Sequence, residues 1–278
     1  MKPSDEPGHD CTSIEKKLDL LKDEIAKLSS VAVAFSSGVD STLLLKVAHD
    51  VLGDNVVAIT TRSASVPVRE VEAAAAFCRD ESIKHVVIET DEFAIEGFAN
   101  NLPDRCYLCK REILAKIQGA ARELGIETVA EGSNVDDDDD YRPGSRAVSE
   151  SGAISPLRAA GLSKADVRAL AKHLGLKVWN KPAYACLNTR FAYGEQLIAE
   201  RLAMVEQAEY ALHDEGFPQV RVRMQGDSAR IEVPKEDIER LLEAAMRKRI
   251  AAKLHALGFA FVSLDLDGYR KGSMNETL

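Results

Sequence analysis

Along the first two thirds of the chain, short unbroken apolar runs alternate with stretches of helical spacing. The pattern predicts a leading helix over residues 12–29, where Ile14, Leu18, Leu21, Ile25 and Leu28 recur at helical intervals. Strands are predicted at Val31–Phe35, Val56–Thr60, His85–Ile88 and Thr128–Glu131, with a short one at Ala153–Pro156. Helices are predicted at Asp40–Leu52, 67–81 and 109–124, with a last one capped by Ser163 and running to about Leu174. Strands that are apolar on both faces and separated by helices imply a parallel sheet covered on each side. The expected class is therefore α/β, a doubly wound, Rossmann-like sheet over residues 1–180.

The pattern changes after a loop-like stretch, residues 181–195. Residues 196–278 read as a smaller α+β domain: a helix (196–215), two strands turning at Gly226-Asp227, a helix (235–257) and a final strand in "FAFVSLDL". The 278 residues include 45% hydrophobic and 29% charged positions, enough for a real core. Apolar runs are too short to span a bilayer, and the polar start "MKPSDEPGHDCTS" lacks a signal-peptide core, so a cytoplasmic location without membrane is expected. A net charge of −9 argues against a nucleic-acid partner. The five cysteines are an odd number for a disulfide scaffold and point to thiol chemistry or metal ligation.

The first strand runs into "SSGVDS", residues 36–41, and then a helix. Ligands of doubly wound sheets sit beyond the carboxyl ends of strands, where small residues and a helix N-terminus favour an anion. Ser36, Ser37 and Ser41 supply hydroxyls, and Gly38 lets backbone approach. Neither the Walker lysine pattern nor the dinucleotide glycine pattern is present. The loop resembles the SGGxDS signature of the PP-loop ATP pyrophosphatases, with Ser37 in place of a glycine. That resemblance implies ATP as co-substrate, pyrophosphate cradled by Ser36, Ser37, Gly38 and Ser41, and Asp40 holding Mg²⁺ or orienting phosphates.

Four further stretches, "PDRCYLCK", "EGSNVDDDDDYRPG", "KPAYACLNTRFAYGE" and "DLDGYRKGSMN", together resemble the LarE family across nearly the whole chain. The resemblance implies an adenylating sulfur transferase of nickel-pincer cofactor biosynthesis, which serves lactate racemase. Its substrate would be pyridinium-3,5-biscarboxylic acid mononucleotide, a carboxylate of which becomes a thiocarboxylate. Other enzymes of that pathway and a homo-oligomer are the implied partners. A tRNA thiolase of the same superfamily and a non-catalytic ATP-binding regulator are the rival readings.

Cysteine is the strongest biological nucleophile near neutrality, and Cys186, close to Arg190, is the candidate for acyl transfer. Cys106 and Cys109 form a CxxC readable as a redox pair, half a zinc site or part of an iron–sulfur site. The family resemblance implies two sulfur routes. In one, Cys106, Cys109 and Cys186 hold a [4Fe-4S] cluster that carries sulfide. In the other, Cys186 surrenders its own sulfur. Cys11 and Cys78 read as bystanders. Gly132, with Ser133 and Asn134, is expected to border the nucleotide, and Arg142 to meet a phosphate or to serve as surface charge. The Asp136–Asp140 run reads as a solvated loop. Arg221 and Arg223, two apart on a strand, share a face and with Arg270 are candidate anchors for substrate anions, against an ordinary pairing with Glu232 and Asp265. Trp179 and Tyr107 are candidates for stacking on a ring.

Overall fold

The computed structural model describes residues 11–137, 143–182, 185–270 and 272–273, the side chains of 11–13 and 143 excepted. Two compact units emerge. One comprises residues 1–62, 68–90 and 106–183, the other 63–67, 91–105 and 184–278. The division is not a single cut, because two short segments that follow strands of the first unit belong to the second.

The first unit is built on a four-stranded, wholly parallel sheet in the order β3-β2-β1-β4. Its strands are β1 (Val31–Ala34), β2 (Val56–Arg62), β3 (Lys84–Glu89) and β4 (Val129–Ala130). The alternation of side chains along β1 divides the core. Val31, Val33 and Phe35 face one layer with α1 (Cys11–Ala26), α2 (Val39–Leu52) and α3 (Val68–Asp80), through Leu21, Leu43, Ala74 and Cys78. Ala32 faces the other layer, where Val57, Ile59 and Val129 meet Ile117 and Ala121 of α4 (Arg105–Glu123). Two covered faces explain why these strands are apolar throughout.

Three helices complete the unit: α5 (Pro143–Ser151), α6 (Pro156–Ala159) and α7 (Lys164–His173). Ser163 caps α7 as its sequence suggests, in a reciprocal capping box with Asp166. The short strand expected at Ala153–Pro156 is reduced to one parallel bridge, Ala130 to Ile154. Pro156 opens α6 and withdraws the chain from the sheet.

In the second unit α8 (Ala199–Asp214) precedes an antiparallel hairpin, β5 (Arg221–Gln225) and β6 (Ser228–Glu232), with Gly226 at φ 55° in the turn. The helix expected over 235–257 divides into α9 (Ile238–Leu242) and α10 (Ala244–Ala256), because Glu243 takes an extended conformation with φ −51° and ψ 133°. Strand β7 (Phe261–Leu264) adds parallel to β6. No described helix is long and apolar enough to cross a membrane.

Candidate active site

The loop after β1 turns tightly and is closed by its own serines. The Ser36 backbone N–H donates to Ser41 Oγ at 3.3 Å, the Ser36 and Ser41 hydroxyls lie 3.1 Å apart, and Ser41 Oγ donates to the Gly38 carbonyl at 3.2 Å. Gly38 caps α2, whose first internal bond runs from Thr42 N–H to Gly38 O at 2.9 Å. The N–H groups of Val39, Asp40 and Ser41 precede that bond and give the loop its anion-facing character.

Ser37 occupies the left-handed region at φ 54°, a conformation that favours glycine. A serine thus stands in a conformation that glycine adopts more easily. The Ser37 hydroxyl donates to Glu70 Oε2 at 2.8 Å and lies 3.1 Å from the Glu70 carbonyl oxygen, so it is turned toward α3. Lys181 Nζ donates to the same carboxylate oxygen at 2.6 Å and to Ser37 O at 3.2 Å.

The turn after β4 packs directly on this helix start. A Cβ on Gly132 would lie 3.0 Å from Ser41 N and 3.2 Å from Asp40 Cβ, so any side chain there would push the turn and the helix start apart by a few tenths of an ångström. Close approach lets Asn134 Nδ2 donate to Asp40 Oδ1 at 3.1 Å, while Lys164 Nζ donates to Asp40 Oδ2. Asp136 and Asp137 are bracing groups: Asp137 accepts from Asn134 N–H at 3.0 Å and Asp136 from Lys164 N–H at 2.9 Å. Buried Glu131 accepts from Ser133 Oγ at 2.7 Å and from Ser155 Oγ. Asp138–Asp140 and Arg142 lie outside the described residues.

Cys106 and Cys109 stand in the first turn of α4, three residues apart on one helical face. The helix begins four residues earlier than its apolar pattern suggests, so the CxxC is helical. Between them Tyr107 donates to Glu150 Oε2 at 2.6 Å, and its ring lies beneath the guanidinium of Arg146, 4.6 Å from the centroid. Trp179 faces the ammonium of Lys172 at 4.6 Å. Cys78 is core, and burial pushes its thiol up to about 12. The side chain of Cys11 lies outside the described residues.

In the second unit Cys186 precedes a short 3₁₀ turn, Leu187–Arg190. Arg190 is fully buried and grips this turn from inside. Its Nη1 donates to the carbonyls of Ala185 and Cys186 at 2.9 and 3.1 Å, and its Nε and Nη2 form a two-point pair with Glu209 at 2.8 and 2.9 Å. Burial raises the Glu209 carboxyl, but the Arg190 charge and hydrogen bonds outweigh it and hold the group below its ordinary value. Asn188 Nδ2 donates to Ser65 Oγ at 2.8 Å, and Leu187 N–H to Ser65 O at 3.0 Å, fastening the turn to the segment after β2.

Of the three predicted anchors, Arg221 and Arg223 lie on β5, and Arg270 follows β7 outside the sheet. Arg221 is buried, with its guanidinium 5.3 Å from the Tyr269 ring centroid, and burial lowers its pKa. Arg223 makes a two-point pair with Glu232 at 3.0 and 2.9 Å and donates to Thr189 O at 2.5 Å. Arg270 lies 3.5 Å from both Asp265 and Asp267. Lys164, Lys181, Glu70 and Glu209 escape the sequence reading, since each partner lies far off in the chain. Only Lys164 carried a local hint, directly behind a helix cap.

Among the described residues no group of three or more His, Cys, Asp or Glu side chains gathers as a metal-ligand set. No protein-family model matches the chain. It is 42% identical over 252 residues to pyridinium-3,5-bisthiocarboxylic acid mononucleotide synthase of Lactiplantibacillus plantarum, covering 90% of this chain and 91% of that protein. This chain belongs to the LarE family. Two uncharacterized proteins share the length: one of Synechocystis sp., 42% identical over 95% of this chain and 99% of its own, and one of Methanocaldococcus jannaschii, 27% identical over 92% and 98%.

Proposed function

We propose that this LarE-family enzyme adenylates a carboxylate of pyridinium-3,5-biscarboxylic acid mononucleotide and converts it to a thiocarboxylate, a step of nickel-pincer cofactor biosynthesis. The observation that carries the ATP half is the β1 loop, with Ser37 held at φ 54° ahead of the α2 N-terminus. The name of the Lactiplantibacillus plantarum relative supplies the substrate class. A substrate carboxylate oxygen attacks the α-phosphorus of ATP, pyrophosphate leaves, and the loop N–H groups and hydroxyls take its charge. Mg²⁺ suits Asp40, being commonly held by one or two carboxylates plus substrate phosphates, and would add charge neutralisation. With Asp40 so engaged, the Lys164 ammonium would turn to the phosphates.

The Cys186 thiolate then attacks the acyl carbon and expels AMP, leaving a thioester. Loss of the Cys186 α-proton to a base, with cleavage of the Cβ–S bond, gives the thiocarboxylate and dehydroalanine without any change of oxidant. The alternative source is sulfide on a [4Fe-4S] cluster, which Cys106, Cys109 and Cys186 would hold. Arg221, Arg223 and Arg270 are the proposed anchors for the phosphate and carboxylates of the substrate. Homo-oligomerisation, cytoplasmic location and pathway partners complete the proposal.

Pyrophosphate release with Mg²⁺·ATP and the mononucleotide tests the first half. Asp40→Asn is expected to abolish it in a folded protein, and normal release would overturn the loop assignment. Intact mass after turnover tests the second half. Loss of one sulfur at Cys186, with full single turnover in Cys106→Ser and Cys109→Ser, is expected. Iron-dependent turnover that those variants lose would favour the cluster route instead.

A further inference from the structure

We propose that Lys181 and Glu70 form a latch that holds Ser37 in its left-handed conformation, making Lys181 a positioning residue for ATP. The inference rests on the reading of the β1 loop as a pyrophosphate site. An L-residue at φ 54° carries a steric penalty that glycine does not, so something must hold it there. Ser37 is buried, and its hydroxyl and carbonyl are both engaged by this pair. Glu70 comes from the first turn of α3 and Lys181 from the segment after α7. Their side chains are 15% and 19% exposed, which limits solvent screening of the pair.

Lys181 is itself fixed from behind. Its N–H donates to Val178 O at 2.9 Å, and Arg168 of α7 donates to the carbonyls of Lys181 and Trp179 at 2.9 and 2.7 Å. The ammonium therefore reaches Ser37 from a rigid base. Where the superfamily signature has glycine, the backbone adopts this geometry freely. Here serine trades that freedom for a side-chain handle that the latch can grip.

The test is equilibrium binding of Mg²⁺·α,β-methylene-ATP, with pyrophosphate-release kinetics alongside. Lys181→Met should weaken analogue binding about tenfold and raise KM for ATP, with kcat much less affected, the loop's conformational penalty now being met at binding. In a Ser37→Gly background the same substitution should cost about twofold or less, since glycine needs no latch. An equal loss in both backgrounds would show that Lys181 acts only as a nearby charge, and no loss in the parent background would show no role; either overturns the latch. Should Lys181→Met fail to fold, Glu70→Gln in the two backgrounds decides by the same comparison. Parent protein that neither binds the analogue nor releases pyrophosphate would overturn the loop reading itself, a distinct outcome.

Discussion

Replacing Gly132 by Ala places one methyl group between the turn after β4 and the first residues of α2. The new Cβ would stand 3.0 Å from Ser41 N, 3.2 Å from Asp40 Cβ and 3.4 Å from Asp40 C. Carbon contacts are most favourable at about 3.5–4.0 Å, so the overlap is near half an ångström against backbone that cannot rotate away. Overpacking of this kind costs about 1–3 kcal/mol. Relief requires the turn to move off the helix, which stretches the 3.1 Å bond from Asn134 to Asp40. Both stability and ATP affinity should therefore fall. At about 2–4 °C per kcal/mol for a chain of this size, Tm should drop by roughly 2–12 °C. Gly119→Ala is the control. That site lies within α4 with nothing within 4 Å of an added Cβ, and alanine there should be neutral or stabilising by up to about 1 kcal/mol. Thermal unfolding and titration with the ATP analogue read both effects. A Gly132→Ala protein with parental Tm and affinity would refute the close-approach argument.

Glu209→Gln leaves the Arg190 guanidinium buried without its counter-charge, a change that costs about 3–5 kcal/mol. Lower Tm and slower thiocarboxylate formation in single turnover are expected together, and parental values for both would show the pair to be dispensable. Burial holds the Glu92 carboxyl above its ordinary value, so the folded chain keeps a proton that the unfolded chain releases. That contribution is complete below the ordinary carboxylate range and is lost as pH rises through the raised value. Relative to Glu92→Gln, the parent should thus lose stability as pH rises from the ordinary carboxylate range through the raised one in denaturant titrations, and parallel curves would contradict the assignment. Cys78, with its thiol at about 12, should resist alkylation in the native protein while Cys186 reacts, as peptide mapping by mass spectrometry would show.

The sequence by itself determined the layered α/β class and the place of the loop. Apolar runs of strand length and the 3.6-residue period are local signals, and each strand of the first unit carries its own. It determined as well that α7 starts at Ser163, because a capping box is written within four residues. Tertiary structure alone decided what holds the site in place. Ser37 takes a glycine's conformation because Glu70, 33 residues on, and Lys181, 144 residues on, meet it there. Arg190, four residues past Cys186, grips the backbone of that turn and is paired with Glu209 of α8. Arg223, proposed as an anchor for substrate, has its carboxylate partner Glu232 across the hairpin, a pairing that no local pattern announces. A charged side chain announces its charge in the sequence, but its partner is set by distances that only the folded chain brings within a few ångströms, where Coulomb attraction and desolvation decide the outcome.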